Sequence, residues 1–86
     1  MGELRKIVLD ARELEHPKPL ELAMQALRAL DRESYLYMIH RKNPIPLLDL
    51  AKEQGFTLLS QEDSDAVWHI LISKDPSVEL HEYLDV

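Results

Sequence analysis

Eighty-six residues, 45% of them hydrophobic and with a formal charge of −6, are enough for one small folded domain. Sixteen acidic against ten basic side chains argue against general phosphate-backbone binding, so nucleic acid is not expected as a partner, and no apolar run approaches a membrane span or secretory leader. The lack of a span or leader makes a cytoplasmic setting the expectation, and the absence of cysteine removes disulfides, thiolate ligands and thiol nucleophiles and leaves chemistry to His, carboxylates, hydroxyls and backbone groups.

In chain order, Ile7, Val8 and Leu9 form a short, partly β-branched apolar run that stops at Asp10, the pattern of a buried strand running into a loop. After a charged loop, Leu20, Ala23, Met24, Leu27 and Leu30 recur at helical spacing, and Pro17 or Pro19 opens that helix, since a first-turn proline forfeits no intrahelical bond. Residues 35–40 read as a second strand, with Leu36, Met38 and His40 on one side and Tyr35, Tyr37 and Ile39 on the other. Pro44 and Pro46 repeat the proline pair ahead of a short amphipathic helix with Leu47, Leu50 and Ala51 inward, and Gly55 fits the residue just past its end. Residues 56–60 and 67–72 read as strands of an antiparallel hairpin around a polar connection of residues 61–65. Asp75, Pro76 and Ser77 resemble a helix start, with Val78, Leu80 and Leu84 as inward contacts, although a loose tail also fits.

The order strand, helix, strand, helix, strand, strand predicts an α/β (α+β) two-layer sandwich. Right-handed crossovers moving in one direction place two helices on one face of a four-stranded mixed sheet and leave the other face open, carrying residues such as Tyr37, Thr57 or His69. We divide the chain into one domain over residues 1–74 and an acidic C-terminal helix or tail over residues 75–86. Residues 1–60 carry nine acidic and nine basic side chains, so the excess of negative charge falls entirely in the last 26 residues. That charge fits a solvated face, or a tail that docks on a basic partner or on the loop around Arg41 and Lys42.

In such a topology the loop after the first strand and the loop after the second meet at one sheet edge, beside both helix N-termini. This gathers Asp10, Arg12, Glu13, Glu15 and His16 with His40, Arg41, Lys42 and Asn43, and makes Arg12, His16, His40, Arg41 and Lys42 the candidate ligand-binding residues for an anion or an acidic group. His16 and His40 are also the candidate metal ligands, against the alternative of an exposed loop histidine and a strand-end histidine bonded to backbone. His69 reads as half-buried surface and His81 as solvated. Trp68, Ile70 and Ile72 alternate onto one face and predict core packing, with an exposed platform shared by Trp68 and Tyr37 as the alternative. Ser34, Ser60 and Ser64 read as cap and turn residues rather than nucleophiles.

The run from Leu9 through Asp10, Glu13, His16, Pro17 and Pro19 resembles the opening of the SirA/TusA family of sulfur carriers, in which a Leu-Asp strand end leads to Gly and then to Cys-Pro-x-Pro. The resemblance implies a TusA-like fold, similar to the C-terminal domain of a bacterial translation initiation factor, with Pro17, Pro19, Pro44 and Pro46 as structural motif residues. Glu13 stands in place of the family's Gly and His16 in place of its persulfide-bearing Cys, so sulfur relay by that route is excluded within this chain. The second loop, Gly55, Phe56 and the segment from Val67 to Ile70 are similar to the cysteine-poor DUF2249 group, which is of undetermined function and often found near or fused to hemerythrin-like domains.

Three roles follow. The first is a small non-enzymatic binding or adaptor domain that meets a protein partner or a small anionic ligand through the loop edge, without a resident cofactor. The second is a metal- or haem-linked redox accessory protein using His16 and His40, with a metal ion as its cofactor. The third is a structural dimerisation module built on the open sheet face, giving a monomer or a weak homodimer.

Overall fold

The computed structural model describes residues 4–86. Strand β1 (Arg5–Asp10) is followed by helix α1 (Lys18–Ala29), β2 (Ser34–His40), α2 (Ile45–Glu53), β3 (Thr57–Glu62) and β4 (Trp68–Ser73), and a 3-10 turn spans Leu80–Tyr83. The sheet order is β1-β2-β4-β3, with β1 parallel to β2 and both pairs involving β4 antiparallel. This is the expected mixed four-stranded sheet with two helices on one face.

Both helices start in the same way. Pro17 and Pro44 occupy the N-cap positions, and Pro19 and Pro46 stand two residues further on, inside the first turn, where a missing N–H breaks no helical bond. Helix α2 stops at Gly55, whose φ of 84° lies in the left-handed region. The Gly55 N–H donates to the Lys52 carbonyl at 3.1 Å and the Phe56 N–H to the Ala51 carbonyl at 3.0 Å, the paired bonds of a Schellman cap. The helices bury Ala23, Leu27, Leu47 and Ala51 against Leu36, Met38, Ile70 and Ile72 of the central strands, with Trp68 packed at the margin of that core.

The second sheet face is not open, and here the expectation is corrected. Tyr35, Tyr37 and Leu71 are buried there beneath Val78, Leu80, Tyr83 and Leu84 of the C-terminal segment. Strands β2 and β4 are apolar on both sides, so each side must be covered. The C-terminal segment crosses this face, where Asp85 Oδ2 accepts from Lys6 Nζ at 2.8 Å, and among the described residues Arg41 pairs with Glu13 and not with an acid of the tail. Asp75 starts only a turn, in which its carboxylate accepts from the Ser77 N–H at 3.0 Å and the Ser77 hydroxyl at 2.7 Å, and the chain becomes helical, as a single 3-10 turn, only at Leu80.

His69 is also deeper than half-buried surface, at 8% exposure, and belongs to a hydrogen-bonded chain under the same cover. Its Nε2 faces Asp63 Oδ2 at 2.8 Å and its Nδ1 faces the Tyr37 hydroxyl at 2.8 Å. The Asp63 carboxylate only accepts, so in the neutral ring Nε2 carries the proton and Nδ1 accepts from the Tyr37 O–H. The Tyr37 oxygen in turn accepts the Asp85 backbone N–H at 3.0 Å. Trp68 and Tyr37 lie on opposite faces, since Trp68 pairs with His40 while Tyr37 pairs with Leu71, so no platform unites them.

The β3–β4 connection turns on Asp63, whose Oδ1 accepts the N–H groups of Asp65 and Val67 at 2.8 and 3.0 Å. Ala66 completes the turn at a φ of 63°, a conformation unfavourable for a residue with a Cβ. Ala66→Gly is therefore expected to stabilise the domain by about 0.5–1 kcal/mol, and Ala66→Val to destabilise it, both read from urea midpoints.

Candidate functional site

The parallel pairing of β1 with β2 carries one rung beyond the strand, where the Ala11 N–H donates to the Ile39 carbonyl at 2.7 Å. Both following loops therefore leave the sheet side by side. Between them lies a cleft of about 810 Å³ whose lining includes all five candidate residues, Arg12, His16, His40, Arg41 and Lys42. Its apolar floor includes Leu14, Leu20, Met38 and Leu47, and Pro19, Pro44 and Pro46 also line it.

The charges are more committed than spacing alone suggests. The Arg12 guanidinium grips Asp10 in a two-pronged pair, with Nε donating at 2.9 Å and a terminal nitrogen at 2.6 Å. Arg41 reaches across the cleft to Glu13 at 3.4 Å, an exposed contact that ties the two loops loosely. Lys42 makes no ion pair among the described residues. Asn43 Oδ1 accepts from the Ser60 hydroxyl at 2.8 Å, which anchors the second loop to β3. That anchor was not legible in the sequence, because residues 17 apart are brought together only by the sheet order.

His40 has a defined hydrogen-bonding state. Its Nδ1 accepts the Arg41 backbone N–H at 2.9 Å. Burial, with a contribution from Lys42, pushes its pKa below the ordinary imidazole value. The neutral ring then carries its proton on Nε2, which makes His40 a hydrogen-bond donor lining the cleft. The prolines restrict the amides on offer. Pro19 and Pro46 have none, and the N–H groups of Lys18, Glu21, Ile45 and Leu48 are taken by nearby carbonyls, so among the described residues Leu20 and Leu47 are left with the unpaired first-turn N–H groups. His16 is exposed at the loop end, next to the α1 N-cap, and no group of three potential metal ligands occurs among the described residues.

A family model described as an uncharacterized conserved protein, DUF2249, matches residues 8–74, most of the chain. The chain belongs to the DUF2249 family. The matched residues of this DUF2249 domain include both proline-started helices and the whole cleft. A SirA-like protein from Desulfitobacterium hafniense, known from its crystal structure, is 23% identical and superposes with a TM-score of 0.64 over 76% of this chain and 92% of that one. That likeness establishes a SirA-like fold for the DUF2249 chain. A comparison with curated proteins gives no match. No helix among the described residues is long and apolar enough to cross a membrane.

The Asp10–Arg12 pair at the mouth of the DUF2249 cleft has a pH signature. The Arg12 side chain, and then its backbone N–H, hold the Asp10 carboxyl down at about 2 from its ordinary 3.8. Hydrogen bonds from His69 and Val67 lower Asp63 as well. With folded values below unfolded ones, the unfolded chain binds more protons in acid, so this stabilisation is complete above the ordinary carboxylate range and is lost as pH falls toward the depressed values. Urea midpoints are expected to drop steadily as pH falls from about 4 to about 2, and Asp10→Asn is expected to flatten part of that slope.

Proposed function

We propose that this chain is a small non-enzymatic binding or adaptor domain whose cleft receives an acceptor group, a carboxylate or small anion, of a ligand or partner protein. The observation that carries this reading is His40, kept neutral by burial and the neighbouring Lys42, set as an Nε2 donor by the Arg41 amide on Nδ1, and placed in the same cleft as Lys42. The unpaired N–H groups of Leu20 and Leu47 add two donors, each at the positive end of a helix dipole. The apolar floor would take the nonpolar part of the same ligand. The fold is that of a SirA-like protein, but with His16 before Pro17 and no cysteine in these 86 residues the loop can recognise a group and cannot hold a sulfane sulfur.

Acetate and inorganic phosphate are the probes for this reading, titrated into isotope-labelled protein and followed by NMR. The expected shifts centre on the Leu20 and Leu47 amides and the His40 ring, and Lys42→Ala weakens binding by up to about fivefold, the range of one exposed charge. Shifts scattered over the surface, or none at these three groups, would refute the proposal. The metal reading through His16 and His40 gains no support from this geometry. A metal on His40 Nε2 would require the proton to move to Nδ1, where the Arg41 N–H already points. Zinc is accordingly expected to leave the His40 ring resonances in place.

A further inference from the structure

The sheet face opposite the cleft carries Tyr35, Tyr37, Ile39, Leu59 and Leu71, a continuous aromatic and aliphatic strip on the central strands and β3. Its cover is a segment held by no strand pairing. Leu80 inserts to 5% exposure, and the Tyr83 ring packs at 4.8 Å between centroids on Tyr35. One polar anchor sits at the rim, where Lys6 Nζ meets Asp85 Oδ2 at 2.8 Å while lying 4.4 Å from the centre of the Tyr37 ring. The other is the Asp85 backbone N–H on the Tyr37 hydroxyl. The strip therefore selects a short segment by chemistry: apolar residues spaced to fill it, with an acidic residue directly after the last leucine, at the Lys6 end.

Nothing in that recognition depends on the covalent connection to β4. The bonds recorded for the intervening stretch, residues 74–79, are local ones, four at Asp75 and one from the Glu82 N–H to the Glu79 carbonyl. The family match also stops at residue 74, so the covering segment lies outside the shared unit. We propose that this face is a docking groove for an acidic, apolar segment, occupied in cis by residues 78–85 and, when that copy is displaced, by the same segment of a second copy of the chain. The exchange preserves the contacts of the segment with the strip, changes only the local bonds of the connecting stretch, and generates a two-fold dimer. In the monomer the tethered segment competes at high effective concentration and keeps the groove closed to others.

The test uses the full chain and a fluorescent peptide of residues 75–86. Leu80→Asp releases the cis segment, and Asp85→Lys, measured in parallel, weakens it at the rim without placing a charge in the core. Intact folding is checked by the emission of Trp68, which lies on the other sheet face. The expected result is peptide binding to either folded variant at least about tenfold tighter than to the unaltered chain, and loss of binding when the peptide itself carries Asp85→Lys. Light scattering of the unaltered chain over rising concentration is expected to show a dimer fraction that excess unlabelled peptide abolishes. Equal binding to variants and unaltered chain, no binding beyond that of a scrambled peptide, a strict monomer at every concentration, or a dimer indifferent to peptide would each overturn the assignment.

Discussion

Leu36→Ala is expected to lower the unfolding free energy by about 2–5 kcal/mol, the range for truncating a fully buried leucine whose surroundings relax only in part. Leu36 is 0% exposed and sits on β2 between Ile7 of β1 and Ile72 of β4, under the helices. Neither strand can close toward the void without breaking its ladder with β2, so the site collapses poorly. A domain of this size holds roughly 4–13 kcal/mol in total, which makes the loss a large share of its stability. Urea unfolding should show a lower midpoint with an unchanged slope, and a loss below about 1 kcal/mol would mean that the core repacks.

Tyr37→Phe removes a single oxygen and is expected to cost about 1–3 kcal/mol. That oxygen donates to His69 Nδ1 and accepts from the Asp85 N–H, so its loss leaves one buried acceptor and one donor without partners. The ring remains to fill the space, which separates this effect from a cavity. Because the broken bond to Asp85 anchors the C-terminal cover, amide exchange should accelerate over residues 80–85 before it does so in β2. Trp68 emission should stay constant, since that side chain belongs to the opposite layer. A variant as stable as the parent chain, with unchanged exchange at Asp85, would mean that water replaces the hydroxyl.

The comparison of sequence with structure separates local signals from distant ones. Helix starts were legible because Pro17, Pro19, Pro44 and Pro46 act through their own backbone geometry, and Gly55 marked the end of α2 for the same reason. Strand β1 is longer than its apolar run, Arg5–Asp10 rather than residues 7–9, because a parallel ladder is made by backbone groups and does not require apolar side chains at the strand ends. The candidate residues meet in one cleft as the topology required, whereas the Asp10–Arg12 grip and the state of His40 depend on rotamers that spacing does not specify. The covered second face was missed for a different reason. Its anchors join Lys6 and Tyr37 to Asp85, 79 and 48 residues away, and no local pattern records such a contact. A signal was nevertheless present: Tyr35 to Ile39 on β2 and Ile70 to Ile72 on β4 are apolar without alternation, which is the mark of a strand covered on both sides.

The paired prolines at the two helix starts also bear on how the cleft would meet the ligand proposed for it. Four residues around it have φ fixed by a ring, and the Ala11 rung and the Ser60–Asn43 bond each pin one of the two loops that flank it. Little backbone freedom remains for a ligand to freeze on arrival, so the ordering penalty that weakens binding by mobile loops is small here. Recognition in this cleft is therefore expected to resemble a key entering a finished lock, with selectivity set by the fit of the ligand and not by movement of the rim.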